Sequence, residues 1–355
     1  MKKLQPFFTK NLLKWNATYN KRQMPWKGEK DPYKIWISEI ILQQTRVEQG
    51  LDYYNRFVKK YPTIKKLAAA NEKDVFKLWE GLGYYSRCRN LIATAKFIAN
   101  NLKGVFPNNY NDVLNLKGIG TYTAAAIVSF AYNLPYAVVD GNVNRVLARF
   151  FGIDTAIDST QGKKIFFELA NQLIDKKNAA NYNQTIMDFG ATVCKPKNPL
   201  CSECVLSKNC FALANNKIEV LPIKNKKLAI KDRWFYYIVA SYKTEVLIKE
   251  RINKDIWQNL TEFILVEQPK QIKNLTKQAV KLVEEQLPTT KFMIDNISVP
   301  YLQQLSHQHI RGNFIEIELQ QKIEISGYKW VQKSQLKKLS FPKYINTFLQ
   351  DKKYL

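Results

Sequence analysis

Leu116-Lys117-Gly118-Ile119-Gly120-Thr121-Tyr122-Thr123-Ala124 decides the reading of the fold, because two closely spaced glycines separate two helical patterns. The glycines permit a tight turn and let backbone N–H groups approach a phosphate at the start of the second helix. Contacts of that kind position nucleic acid without reading its sequence. An ordinary helix–helix turn uses the same residue types, so the hairpin takes its meaning from what surrounds it. Downstream, Val138-Val139-Asp140-Gly141-Asn142-Val143-Asn144-Arg145 places a carboxylate at the mouth of a further helix.

Helical patterning extends outward from the hairpin in both directions. Asp31-Pro32 opens one helix, with Asp as a cap and Pro tolerated in the first turn, and Tyr33, Ile37, Ile40 and Ile41 recur at helical spacing. Breaks fall at Tyr61-Pro62, Gly81-Leu82-Gly83 and Val105-Phe106-Pro107, and sustained strand-type alternation is almost absent up to about residue 213. Residues 1–213 are therefore expected to form an all-α domain. Residues 214–231, with Lys224-Asn225-Lys226-Lys227, read as a linker. Residues 232–355 are expected to form a smaller α+β domain. Trp234 to Ala240, Glu245 to Ile248 and Asn313 to Leu319 look like strands, and Thr276 to Leu287 like a helix.

Composition narrows the classes further. No apolar run among the 355 residues approaches the length of a membrane span. The N-terminus is basic but lacks the apolar stretch and cleavage site of a secretory signal, so a cytoplasmic protein, nucleoid-associated if bacterial, is expected. Lys plus Arg number 55 against 30 for Asp plus Glu, a net +25 spread along the chain, which favours a polyanionic partner. Charge alone does not separate DNA from RNA or an acidic membrane.

Four of the five cysteines form the array Cys194-x6-Cys201-x2-Cys204-x5-Cys210. In a reducing compartment, metal ligation outranks disulfides for thiols this close. The array can enclose a [4Fe–4S] cluster. Tetrahedral zinc is the competing reading, although zinc sites more often use two short Cys pairs and only Cys201/Cys204 form one. Cys88 reads as an ordinary core or surface residue.

Taken in order, the hairpin, the Val-Asp-Gly-Asn-Val segment and the cysteine array resemble the endonuclease III, helix–hairpin–helix superfamily of DNA glycosylases. More narrowly, Met24-Pro25-Trp26, Trp36 to Thr45 and Trp79 to Arg87 resemble its adenine DNA glycosylase branch. The resemblance covers residues 1–213, including an iron–sulfur loop over 194–210. It extends more faintly into 232–355, which resembles a nudix-like domain used for 8-oxoguanine recognition. It implies two helical subdomains gripping duplex DNA, a [4Fe–4S] cofactor, and a monomer acting on 8-oxoguanine:adenine or guanine:adenine mispairs.

Residue roles follow from the same resemblance. Superfamily members that cut the DNA backbone through a Schiff base carry a lysine where this chain has Tyr122, so a hydrolytic, monofunctional enzyme is implied. Glu39 is implied as the acid that protonates adenine at N7 and then helps activate water, Asp140 as the carboxylate that steadies or traps the cationic sugar. Tyr122 and Asn142 are implied to assist around Asp140. Asp188 matches a carboxylate near the flipped base; Trp26, Leu42, Gln44 and Tyr84 match positions that receive the base or wedge the duplex. Lys117, Gly118, Gly120 and Thr121 would hold the DNA backbone. Ser306 and His307 align with the 8-oxoguanine reader, where Leu305 replaces the usual aromatic. Two other readings compete: a strand-cleaving pyrimidine-lesion glycosylase, against which Tyr122 argues, and a silent DNA-binding module, against which Glu39 and Asp140 argue.

Overall fold

The computed structural model describes residues 4–225 and 230–354, so Met1 to Lys3, residues 226–229 of the expected linker and Leu355 lie outside the described residues. The chain is helical up to residue 214: α1 (Gln5–Tyr19), α2 (Pro32–Leu42), α3 (Val47–Lys60), α4 (Ile64–Ala68), α5 (Glu72–Trp79), α6 (Ser86–Asn101), α7 (Tyr110–Leu114), α8 (Thr121–Tyr132), α9 (Gly141–Phe151), α10 (Thr160–Leu173), α11 (Ala179–Thr192) and α12 (Phe211–Ala214). Strands begin at residue 231: β1 (Lys231–Tyr242), β2 (Glu245–Glu250), β3 (Thr261–Glu262), β4 (Ile264–Gln268), β5 (Phe292–Ile297), β6 (Tyr301–Gln304), β7 (Gln308–Gly312), β8 (Phe314–Leu319) and β9 (Tyr328–Gln332). Helix α13 (Leu275–Glu284) interrupts them and α14 (Lys343–Asp351) closes the chain. Both the all-α first part and the α+β second part agree with the sequence expectation.

Two compact units result. One holds residues 1–69 and 90–227; the other holds 70–89 together with 228–355. The helical unit is organised by caps the sequence displays. Asp31 accepts from Tyr33 N–H at the start of α2, Asn109 caps α7, and Asp140 caps α9 through Val143 N–H at 2.8 Å. Helix α2 buries nearly every residue from Tyr33 to Ile41, the pattern of a helix enclosed on all sides. A core of Phe8, Trp15, Val146, Leu147, Phe150, Phe166, Tyr182, Ile186 and Phe189 joins α1, α9, α10 and α11.

The hairpin between α7 and α8 turns at Gly118, whose φ of +79° favours glycine. A Cβ there would lie 2.6 Å from the Asn90 Cβ, so the position excludes a side chain on space as well as conformation. Lys117, Gly118, Gly120 and Thr121 are all exposed, as backbone contact with a phosphate requires. Residues 217–225 run back along the helical unit: Leu221 joins its core, and Ile157 N–H donates to the Ile223 carbonyl.

In the second unit β1 is central. It pairs antiparallel with β2 and β4, and parallel with β7 and β8. Its Tyr236, Ile238 and Ala240 enter the core with Ala279, Leu282 and Val283 of α13. Tyr237 on the opposite face packs against Tyr344 of α14. Among the described residues no helix is long and apolar enough to cross a membrane.

Candidate active site

In the helical unit a cavity of about 730 Å³ is lined by Glu39, Leu42, Gln44, Tyr122, Asp140 and Asn142, with Arg22, Trp26, Lys27 and Gln184. That volume is in the range of small-molecule sites and has ample room for an extruded nucleotide. Residues more than one hundred positions apart meet because α2 lies against α8 while α9 delivers Asp140 from its N-terminus.

Glu39 is 7% exposed. Burial pushes its carboxyl up from 4.5 to about 7; a hydrogen bond from Tyr122 opposes the shift and the nearby charge of Asp140 adds to it. Tyr122 is held well above its ordinary value by burial and by both carboxylates, so it stays a neutral donor. Asp140 is also raised by burial, against the pull of Val143 N–H, Asn142 and Arg145. The site therefore holds one buried carboxyl poised to give a proton near neutrality, and a second, with three donors around it, suited to carry charge.

Asn142 connects this pair to the cysteine array. Its Nδ2 donates to Asp140 Oδ2 at 2.8 Å and its Oδ1 accepts from Arg145 Nη2 at 2.8 Å. Arg145 Nε in turn donates to the Cys194 carbonyl at 2.7 Å. Arg145 was not singled out in the sequence; its spacing of three from Asn142 on one helix face was the available signal. Arg149 was also passed over, yet its guanidinium reaches the Cys194 thiol at 3.6 Å and the Lys195 carbonyl at 2.8 Å.

The four thiols Cys194, Cys201, Cys204 and Cys210 line one small cavity whose other walls are Val193, Pro199, Leu200, Leu213 and Ile218, with the polar Arg149 and Ser207. Four sulfurs around a single, mostly apolar pocket, with one guanidinium at its wall, fit a thiolate-held anionic cluster. Burial pushes Cys204 up to about 12 and raises Cys201 and Cys210 as well. Neutral thiols must lose protons to ligate, so metal retention is expected to fall as pH is lowered. Iron content after incubation across a pH series measures this. Cys204→Ser is expected to lose bound metal and expose the 194–214 segment to protease, with intact metal content as the contrary result.

Asp188 is fully buried and stands behind the cavity wall. It accepts from Arg22 at 3.0 Å, Lys27 at 3.1 Å, Asn20 at 2.9 Å and Gln184 at 3.0 Å, and of these Arg22, Lys27 and Gln184 line the cavity. Trp26 packs edge-on against Tyr54 at 5.3 Å. Gln44 has φ +58°, the left-handed region, immediately after α2 ends.

The remaining predicted residues fall in the second unit. Tyr84 has φ +47° and its hydroxyl is hydrogen-bonded to that of Ser306. Ser306 and His307 are exposed in the turn between β6 and β7, closed by Leu305 N–H to the Gln308 carbonyl at 2.7 Å. Cys88 is a buried core residue.

Comparison with known proteins places the fold and the family. Residues 37–172 match the HhH-GPD superfamily of base excision DNA repair proteins, and residues 235–351 match the NUDIX domain. The adenine DNA glycosylase of Buchnera aphidicola subsp. Baizongia pistaciae (strain Bp) is 37% identical over 254 residues, 71% of this chain and 72% of that protein. The chain belongs to the adenine DNA glycosylase family. A thermostable thymine-DNA glycosylase of known structure is 30% identical, with a TM-score of 0.56 over 60% of this chain and 98% of its own. Endonuclease III in a non-covalent DNA complex shares the fold at 20% identity and a TM-score of 0.52, over 61% of this chain and 98% of its own. Within the adenine DNA glycosylase family the helical unit carries the base-excision fold and the second unit the nudix-like sheet.

Proposed function

We propose that this adenine DNA glycosylase hydrolyses the N-glycosidic bond of adenine mispaired with 8-oxoguanine, or with guanine, in duplex DNA. The observation that carries the reading is the buried Glu39–Tyr122–Asp140 constellation facing one cavity of about 730 Å³. The adenine must leave the base stack to reach it. Glu39, protonated near neutral pH, gives its proton to adenine N7. The C1′–N9 bond then breaks, its electron pair leaving with the base. Asp140 steadies the positive charge on the deoxyribose, as paired carboxylates do in sugar hydrolysis. Water adds to C1′ and its proton returns to the Glu39 carboxylate. Tyr122 holds Glu39, and Asn142 orients Asp140. With no amine at position 122 there is no imine to form there, so the backbone stays intact.

Trp26, Leu42, Gln44 and Tyr84 receive the base or support the opened duplex. Asp188 acts near the base through its partners. Lys117, Gly118, Gly120 and Thr121 grip phosphates. A [4Fe–4S] cluster on Cys194, Cys201, Cys204 and Cys210 would order the loop that presents Lys195, Lys197 and Lys208 to the DNA backbone. We assign catalysis to residues 1–213, the connection to 214–231, and 8-oxoguanine recognition to 232–355, the enzyme working as a cytoplasmic monomer, on the nucleoid in a bacterial cell.

A duplex assay tests the proposal. Adenine release from an 8-oxoguanine:adenine duplex, with strand scission only after alkali, is expected. Scission without alkali would mean a strand-cleaving enzyme, and no release a silent binder. Replacing Ser306 and His307 together by Ala is expected to lower the preference for the oxidised mispair over guanine:adenine by about tenfold, the scale of a lost specific contact. Single-turnover rates on the two duplexes measure it.

A further inference from the structure

Residues 339–341 connect the 3₁₀ turn at Lys333–Lys338 to α14, with Leu339 in extended backbone (φ −94°, ψ 155°). The Ser340 carbonyl accepts from Thr261 N–H of β3 at 2.7 Å, which ties this segment to the sheet. The Leu339 carbonyl and the Phe341 N–H are an acceptor and a donor two residues apart on the same segment. Phe341 is fully buried, so leaving its N–H unpaired would be costly.

Lys77 in the last turn of α5 and Glu80 at its C-cap satisfy both groups. Lys77 Nζ donates to the Leu339 carbonyl at 2.8 Å, and Glu80 Oε1 accepts from Phe341 N–H at 2.8 Å. Lys77 and Glu80 are themselves paired at 2.7 Å. A cation must face the carbonyl and an anion the N–H, so the pair fits only in this order. Arg89 adds a third contact, to the Gln258 carbonyl at 3.1 Å. The segment these residues bracket carries Tyr84, whose hydroxyl meets Ser306, and its turn is braced internally by Trp79 Nε1 and Arg87 donating to the Gly83 carbonyl. This explains why residues 70–89 belong to the same compact unit as the sheet rather than to the helices flanking them in sequence.

We infer that Lys77 and Glu80 are positioning residues for mispair discrimination: clasping the 339–341 segment, they hold the Tyr84 turn against the Ser306–His307 hairpin. The inference rests on Ser306 and His307 being the 8-oxoguanine reader. Neither clasp residue touches the base; each acts through the placement of Tyr84.

Single-turnover excision from 8-oxoguanine:adenine and guanine:adenine duplexes tests it on the full-length, metal-loaded enzyme. Glu80→Ala and Lys77→Met are each expected to reduce the ratio of the two rates by about fivefold, while the guanine:adenine rate changes less than about twofold. Glu80→Gln, whose amide oxygen still accepts from Phe341, restores most of the ratio. Adding Glu80→Ala to the Ser306/His307 double variant lowers the ratio no further, because both act on one element. An unchanged ratio in Glu80→Ala, or strictly additive losses, overturns the clasp while leaving the reader intact. A full ratio in the Ser306/His307 variant removes the reader and the clasp with it. If Glu80→Ala unfolds, the comparison of Lys77→Met with wild type decides the same question.

Discussion

Glu39→Gln is expected to slow single-turnover adenine release by at least about a thousandfold, within the contribution of a positioned general acid, while duplex affinity stays unchanged. The amide has the shape of the carboxyl and still accepts from Tyr122, but has no proton to give. Wild-type activity should fall as pH rises through about 7, where Glu39 ionises. Stability follows the same group with a definite sign. Between 4.5 and about 7 the folded chain keeps a proton that the unfolded chain has lost. The stabilisation from a protonated Glu39 is therefore complete below 4.5 and is lost as pH climbs to about 7. The displacement corresponds to about 3 kcal/mol as an upper scale. Glu39→Gln should consequently melt higher than wild type at pH 8, the difference vanishing near pH 4.5. A variant that excises normally, or one that loses duplex binding together with excision, would sink the assignment.

Asp140→Asn separates two tasks held by one side chain. As a cap, Asp140 accepts from Val143 N–H at 2.8 Å, and asparagine caps helices about as well as aspartate. As an anion beside the departing base it has no neutral substitute. Excision is expected to fall by at least about a hundredfold, the scale of removing one preorganised electrostatic partner, with a melting temperature close to wild type. Asp140→Ala, which also removes the cap, should cost about 1 kcal/mol of stability in addition. Because the Asp140 charge helps raise Glu39, any residual activity of Asp140→Asn should have its alkaline limb moved to lower pH. Near-normal rates in Asp140→Asn would reduce the residue to a helix cap.

The hairpin, the Asp140 cap and the cysteine array were legible because each is a short motif whose chemistry is local. Gly118 needs a positive φ, Asp140 needs only the N–H three residues ahead, and the cysteines fall within one loop. The switch from helix to sheet near residue 231 was legible for the same reason, since periodicity is a property of consecutive residues. Asp188 was legible as a carboxylate on α11 but not as the partner of Asn20, Arg22 and Lys27, which are more than 160 positions away.

Sequence by itself thus determined the helical and sheet regions, the hairpin, and the residue types able to give a proton, carry charge or bind metal. Tertiary structure alone decided that Glu39 is buried enough to hold its proton near pH 7, that Arg145 joins Asn142 to the Cys194 carbonyl, and that residues 70–89 pack with the sheet. The reason is physical. A cap or a turn depends on neighbours along the chain, whereas desolvation and long-range pairing depend on which distant surfaces exclude water together.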